Sequence, residues 1–401
     1  MQTYELKAGL DIGNGYVKGK YSIDNAKPKK IDLPSCVNYV ASTRWLPVDV
    51  DAKYMQNLTN NLDCDISSSA ISPQDNYRLY VGKRAVSSGQ TPIIFDINDS
   101  TPKCNNSLSA QLVLSTLASV VLQKYYEDVK KLPQESLQVE CSLGVALPFS
   151  DYMQYRERYR KLFTDTTHSV HIHNFEHDVT VNIKFSNVRV LAEGQAAQYA
   201  ITELGSQFLD KVLMRCVDLG LVIDKSITGD VLCSYMNTIG IDIGEGTVNF
   251  PVFRDGKISV ETSSSINKGY GSVLSSVVDS VRNESYAPKS RKDLAEFMLV
   301  KNPNPTQAQL QSCLGNYIDA ETRVFARDVI SEYKAVLSRV KLGTDVVYVY
   351  GGGADAVRDI LYPQLRKASK LGENIYTPVI YLDSSYSRDL NRNGLYQVAC
   401  L

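Results

Sequence analysis

The chain has 401 residues, 43% apolar and 22% charged, with a formal net charge of −1. That length carries two or three domains with substantial cores, and so balanced a charge gives no sign of a nucleic-acid or membrane surface. No run approaches the roughly 18 apolar residues of a membrane-spanning helix, and the eight cysteines form no C-x-x-C pair, so neither a membrane span, a zinc site nor a redox motif is expected.

The opening MQTYELKAGLDIG runs directly into an expected core strand, leaving no room for a signal peptide. Scattered cysteines in apolar contexts fit a reduced, cytoplasmic compartment. Leu6 to Gly15 reads as a strand and its turn, and Tyr16 to Ile23 alternates as the returning strand of a hairpin. The turn, LDIGNGYVK from Leu10 to Lys18, places Asp11 before Gly13, Asn14 and Gly15. Bare backbone N–H groups at such a turn can bind phosphate, and a carboxylate beside them can hold the water shell of Mg²⁺. Lys18 is either a solvated strand lysine or a reach toward that anion.

Ile31 to Val40 is a further short strand. Asp49 to Asp75 is rich in Asn, Asp and Ser and reads as a variable surface insertion with loops. Tyr77 to Ala85 is a returning strand and turn, and Pro92 to Asn106 is loop-like. Ser107 to Val129 has apolar residues at three- and four-residue spacing and reads as a helix. Leu137 to Pro148 is a buried strand, and Tyr152 to Leu162 a charged helix. The four histidines, His168, His171, His173 and His177, fall on an expected exposed strand pair. A metal pair at His171 and His173 is the alternative, but no cysteine lies nearby and Glu176 and Asp178 have no diagnostic spacing.

Val188 to Tyr199 passes from strand to helix with Glu193 at the junction. Such a carboxylate can orient a water for attack on a phosphate; taken alone, the simpler reading is a helix-start glutamate favoured by the macrodipole. A helix and a loop are expected between Ile201 and Thr228. At Ile239 to Phe250, IGIDIGEGTVNF, the first device recurs: Asp242, Gly244 and Gly246 repeat the order and spacing of Asp11, Gly13 and Gly15. Two copies, each after an apolar strand, suggest two related domain cores offering one phosphate loop each to a shared cleft. Ser259 to Asn267 is a strand, and NKGYG (Asn267 to Gly271) turns into a helix over Ser272 to Val281. A helix from Thr306 to about Leu314 and a long one from Asp319 to Val340 follow. Val346 to Ala354 is a β-branched strand running into Gly351, Gly352 and Gly353 and a helix over Asp355 to Lys367; three glycines there permit close approach of a ligand. A strand over Tyr376 to Leu382 and a helix over Asp389 to Val398 end the chain. There is no Walker P-loop and no dinucleotide fingerprint.

Five of these stretches, in order, resemble the motif set shared by actin, sugar kinases and heat-shock chaperone ATPases: LDIGNGYVK as phosphate loop 1, SLGVALP (Ser142 to Pro148) as the first connector, IDIGEGTVN (Ile241 to Asn249) as phosphate loop 2, NKGYG as the second connector and VYVYGGGAD (Val347 to Asp355) as the adenosine motif. Within that superfamily the chain is similar to bacterial actin-like proteins of the ParM/StbA plasmid-segregation type, through DIGNGYVKGK, LPS (Leu33 to Ser35), VGKRA (Val81 to Ala85), AEGQAA (Ala192 to Ala197) and NRNGL (Asn391 to Leu395). Glu245 departs from the small residue of many relatives, and the stretch from Asp49 to Asp75 is longer and more polar.

The resemblance implies an α/β actin-like two-lobed fold of duplicated ribonuclease H-like domains, each with a five-stranded sheet, and nucleotide in the interlobe cleft. Domain I would span 1–149 plus 372–401, with an insertion at about 28–80, and domain II 150–371. The implied ligands are ATP, with GTP as an alternative, and Mg²⁺. Asp11 and Asp242 would hold the metal through water, and Glu193 would position the attacking water. Gly13, Asn14, Gly15 and Lys18 would meet the phosphates from one side, and Gly244, Glu245, Gly246 and Thr247 from the other. Gly351, Gly352 and Gly353 would pass under the adenosine. The implied function is an ATPase forming dynamic filaments of itself that segregate or position DNA through a small DNA-binding adaptor, with no direct nucleic-acid or membrane contact. A cell-shape scaffold and a monomeric small-molecule kinase or phosphatase are the alternatives.

Overall fold

The computed structural model describes residues 3–40, 50–96, 101–340 and 343–401. They form two compact units, Met1–Ala192 with Asn391–Leu401, and Glu193–Leu390. Residues 41–49 of the expected insertion and 97–100 of the expected loop lie outside the described residues.

The first unit contains β1 (Thr3–Ile12), β2 (Tyr16–Ile23), β3 (Lys29–Pro34), β4 (Cys36–Tyr39), β5 (Asp63–Ser67), β6 (Leu79–Val81), β7 (Ile93–Ile94), β8 (Leu137–Leu147), β9 (His168–Ile172) and β10 (Val179–Ala192). They make one sheet in the order β3-β2-β1-β8-β10-β9-β5-β6-β4-β7. The second contains β11 (Thr238–Ile243), β12 (Val248–Phe250), β13 (Val252–Arg254), β14 (Lys257–Ile258), β15 (Ser264–Ile266), β16 (Val346–Tyr350) and β17 (Val379–Tyr381). Its central strand β11 runs antiparallel to β12 and parallel to β16, which is parallel to β17. In the first unit β1 is likewise antiparallel to β2 and parallel to β8, which is parallel to β10. With β3 and β15 antiparallel on the outside of the two hairpins, both units contain the same five-strand pattern. The expected α/β class and its duplicated core are both present.

Each sheet exceeds the expected five strands. In the first unit the excess is β4, β5, β6, β7 and β9, and β5 lies in the stretch read as surface loops. Asp51 caps the short helix Ala52–Gln56, and Met55, Leu58, Leu62, Cys64 and Ile66 are buried in the unit's main core. The stretch is polar on average, yet most of its larger apolar residues point inward. Asp63 anchors it: its buried carboxylate takes Arg78 Nε and Nη2 at 2.7 and 3.0 Å and Arg84 Nη2 at 3.1 Å. In the second unit Pro251 interrupts the returning strand, splitting it into β12 and β13.

The units also divide elsewhere than at 149/150 and 371/372. β10 pairs with β8 along its length and the helix Phe149–Thr164 packs on β10, so residues 150–192 cohere with the first unit. β17 pairs with β16, which holds the stretch after 371 in the second. Residues 391–401 sit on the first sheet. Gly9 and Gly144 are partners in the β1–β8 register, and a Cβ on either would run into the backbone at Leu395 or Tyr396, so these paired glycines form the flat seat of the C-terminal helix. Arg392 reaches Asp32 at 2.9 Å and Tyr396 donates to Ser22 at 2.8 Å to fix it there.

The helix Ser107–Val129 is as expected, its buried face against β1 and β10. The two helices expected over 306–340 are one, Pro305–Val340, because Gly315 is the one helix-weakening glycine among the four residues between them and a single glycine does not stop a helix. The helix Arg291–Met298, capped by Ser290, was not expected; with Pro305–Val340 it encloses a small separate core of Val277, Val281, Leu294 and Leu314.

The histidines lie on β9 and in the turn between β9 and β10, and each has a structural partner. His168 is buried between Ser68 Oγ and the Phe163 carbonyl, at 2.6 and 3.0 Å. His171 meets Thr180 and His177 donates to the Pro133 carbonyl. His173 lies between Asp178 and Asp65, at 2.8 and 3.0 Å. No cluster that could hold a metal occurs among the described residues. No described helix is long and apolar enough to cross a membrane.

Candidate functional site

In the first unit the candidate residues sit on the β1–β2 hairpin. Asp11 on β1 lies opposite Lys18 on β2 in the strand register. Gly13, Asn14 and Gly15 form the turn between them, all partly buried. The Gly13 N–H donates to the Tyr16 carbonyl at 3.2 Å, and the Gly15 carbonyl accepts from the Ser35 N–H at 3.0 Å, so the turn is held from both sides. The Ser35 hydroxyl, buried beside it, has no hydrogen-bond partner. The Ile12 carbonyl accepts from Lys103 Nζ at 2.9 Å; nothing in the TPKCNN loop marks Lys103 as part of this site.

In the second unit Asp242 on β11 lies opposite Asn249 on β12. The Gly244 N–H donates to the Thr247 carbonyl at 2.9 Å, the counterpart of the Gly13 bond. Behind the turn, the N–H groups of Tyr270 and Gly271 donate to the carbonyls of Gly244 and Glu245, both at 2.9 Å. A trans peptide points its N–H opposite to its C=O. The N–H groups of Glu245 and Gly246 therefore point away from the helix Tyr270–Ser280, as anion donors must. The Glu245 side chain turns the other way, to Arg291 at 3.0 Å. In that pairing a guanidinium offsets the glutamate's charge.

Glu193 follows β10 directly, and its Oε2 accepts from Thr247 Oγ1 and Asn249 Nδ2, both at 3.3 Å. A Cβ on the next residue, Gly194, would stand 3.4 Å from Asp242 Cβ, which sets Glu193 beside the Asp242 strand. Tyr350, at the end of β16, is fully buried and donates to the Gly194 carbonyl at 3.0 Å. Burial pushes its hydroxyl well above the ordinary tyrosine value and the Asp242 charge adds to this, so it stays a proton donor. The three-glycine turn closes on the same strand. The Gly353 N–H donates to the Ile243 carbonyl at 2.9 Å. Gly351 has φ +102°, and a Cβ there would stand 2.6 Å from Asp242 Oδ1 and 2.5 Å from the Ile243 carbonyl.

The second unit thus gathers Glu193, Asp242, Gly244, Glu245, Gly246, Thr247, Gly351, Gly352 and Gly353, and the first gathers Asp11, Gly13, Asn14, Gly15 and Lys18. Asn249, Tyr350, Arg291 and Lys103 were missed. Asn249 could have been found, since hairpin register puts it across from Asp242; Arg291 is remote in sequence. The residues fit a hydrated Mg²⁺ and a polyphosphate. Hard carboxylate oxygens stand beside outward-facing amides, and Asn249 Oδ1, buried next to Asp242, has no hydrogen-bond partner.

The family profile for the N-terminal domain of actin-like proteins matches residues 9–195. That for the C-terminal domain of archaeal MreB-like actin homologues matches residues 240–362. No curated protein sequence matches the chain. Among solved structures, a non-polymerisable quadruple mutant of pCBH ParM is 15% identical with a TM-score of 0.60, covering 100% of this chain and 99% of that one. Bacillus thuringiensis ParM with ATP is 14% identical, TM-score 0.57, with 99% and 98% covered. The archaeal actin homologue Ta0583 in complex with ADP is 13% identical, TM-score 0.58, with 100% and 99% covered.

Proposed function

We propose that this chain, which is built of actin-like domains and carries the actin-like fold, is a cytoplasmic Mg²⁺-dependent ATPase that assembles into filaments of itself and takes them apart as ATP is spent. The cargo in this reading is plasmid or other DNA, bound through a small adaptor protein. The observation that carries it is the duplicated loop: Asp11 and Asp242 each open an Asp-x-Gly-x-Gly hairpin on the central strand of a five-strand core. ParM with ATP and Ta0583 with ADP share the fold and are nucleotide complexes.

In this reading each hairpin binds triphosphate oxygens. The amides of Glu245 and Gly246 and the Asn14–Gly15 turn bind these oxygens, and Lys18 adds charge. Mg²⁺, when bound, would offset the phosphate charge, and Asp11 and Asp242 would orient its water shell. Glu193, fixed by Thr247 and Asn249, aligns a water with the γ-phosphorus. The water oxygen bonds to phosphorus as the bond to the ADP oxygen breaks, and the water's proton leaves along the Glu193 side. Thr247 and Asn249 are positioning residues: they keep the carboxylate from swinging away.

Calorimetric titration tests the site. Wild type should bind ATP with Mg²⁺ and far more weakly in EDTA, and Asp11→Asn and Asp242→Asn should each weaken Mg-ATP by about 10- to 100-fold, the scale of one lost charge-assisted contact. Metal-independent binding, or wild-type affinity in both variants, overturns the assignment.

A further inference from the structure

The two Asp-x-Gly-x-Gly hairpins share a backbone pattern but hold one carbonyl in different ways. Asp11 faces Lys18 as Asp242 faces Asn249. The Gly13 N–H goes to Tyr16 as the Gly244 N–H goes to Thr247. The carbonyl just before the first glycine must also be held, because its peptide sets the direction of the whole turn. In the second unit the Ile243 carbonyl takes a neutral backbone N–H, from Gly353 at 2.9 Å, delivered by the turn after the neighbouring parallel strand. In the first unit the chain after the equivalent strand β8 passes through Pro148 straight into the helix Phe149–Thr164, with no counterpart of the three-glycine turn. The Ile12 carbonyl takes Lys103 Nζ instead, also at 2.9 Å.

Lys103 is an unusual residue for this duty. It is only 9% exposed, and it and Arg392 are the two cations among the buried charged side chains of the described residues. Its main-chain N–H is fixed by Asp151 Oδ2 at 2.9 Å, and its ammonium lies 6.0 Å from the centre of the Phe95 ring. Burying an ammonium is costly, and a neutral amide would satisfy a carbonyl at lower cost. What the ammonium adds over a neutral amide is positive charge, one peptide from Asp11 and Gly13.

We infer that Lys103 is a positioning residue of the Asp11 loop, whose buried charge holds the loop backbone and strengthens its grip on polyphosphate. The inference rests on the nucleotide reading above. A fixed cation acts more strongly as ligand charge grows, whereas a purely mechanical strut is indifferent to charge so long as its hydrogen bond is kept.

The test is a set of dissociation constants for adenosine, ADP and ATP with Mg²⁺, for wild type and for Lys103→Gln, Lys103→Met and Lys103→Arg, with thermal unfolding alongside. Gln keeps a donor and loses the charge; Met loses both while filling the space beside Phe95. Lys103→Gln should lose about tenfold for ATP, the scale of one charge at short range, less for ADP and nothing for adenosine. Met should lose at least as much, and Arg should stay near wild type. A Gln variant with wild-type ATP affinity, equal losses for all three ligands, or failure of both neutral variants to fold would make Lys103 a structural strut and overturn the inference. If wild type binds none of the three ligands, the nucleotide reading itself fails and the inference falls with it.

Discussion

Substitution at Gly351 separates two adjacent glycines that look equivalent in the sequence. Gly351 has φ +102°, and its missing Cβ would stand 2.6 Å from Asp242 Oδ1 and 2.5 Å from the Ile243 carbonyl. At Gly352 a Cβ would meet nothing within 4 Å, and its φ is not in the left-handed range. Gly351→Ala forces an L-residue to positive φ, at about 1–2 kcal/mol, and adds an overpacking cost of about 1–3 kcal/mol. The sum, about 2–5 kcal/mol, is a large part of the roughly 5–15 kcal/mol that keeps a domain folded. Relief is unequal between the two neighbours. The Ile243 carbonyl is held by the Gly353 N–H, so the Asp242 carboxylate is the group that moves. Stability and Mg-nucleotide binding should therefore fall together in Gly351→Ala. Gly352→Ala should unfold within about 0.5 kcal/mol of wild type, as unconstrained substitutions do. Urea unfolding with two probes, one per unit where the transitions separate, and nucleotide titration measure both. Equal behaviour of the two variants would refute the reasoning.

Two further outcomes concern the first unit. Asp63→Ala leaves Arg78 and Arg84 without their shared buried carboxylate and should cost about 3–5 kcal/mol, measured by urea unfolding; a loss under about 1 kcal/mol, the level of a surface pair, would show that the pair does not anchor the insertion. His173 is held above the ordinary histidine value by its bond to Asp65, against the opposing effect of burial and with help from Asp178. At Asp65, burial pushes the carboxyl up, but the bond from His173 and nearby cations outweigh it and the net direction is down. A raised histidine stabilises fully below its unfolded value of about 6.5 and loses that contribution as pH rises through the folded value. A lowered carboxyl contributes above its unfolded value and loses it as pH falls. The pair should therefore help most between the carboxylate and histidine ranges, and the melting difference between wild type and His173→Asn should shrink from pH 6 to pH 9. A constant difference would contradict the pairing.

The parts of the molecule legible from sequence are those whose signal is local. The β1–β2 hairpin alternates, turns at Gly13 and Gly15 and returns at Tyr16, and the structure has it at those residues. The helix Ser107–Val129 announces itself by apolar spacing. The stretch after residue 49 misled because its composition is polar. Met55, Leu58, Leu62, Cys64 and Ile66 are scattered among Asn and Asp, and only the salt bridge from Asp63 to Arg78 and Arg84 and the pairing of β5 with β9 turn them into core. At the site, the Asp-Gly loops were visible because they occur twice. Lys103 and Arg291 were not, because a lysine in a loop and an arginine at a helix start look like surface residues until the backbone brings them to Ile12 and Glu245.

The central claim, that ATP drives self-assembly and hydrolysis reverses it, is tested most directly by time-resolved light scattering with sedimentation after ATP is added to wild type and to Glu193→Ala. In this account, assembly of the ATP-bound state and its loss on hydrolysis form a two-state cycle that the nucleotide biases. Wild type should scatter, pellet and then decay as ATP is consumed. Glu193→Ala keeps both phosphate loops, so it should bind ATP and assemble but decay far more slowly, with phosphate release slowed in proportion. No scattering and no pellet from wild type at about tens of micromolar in any nucleotide state would contradict the account and favour a monomeric enzyme of the same fold.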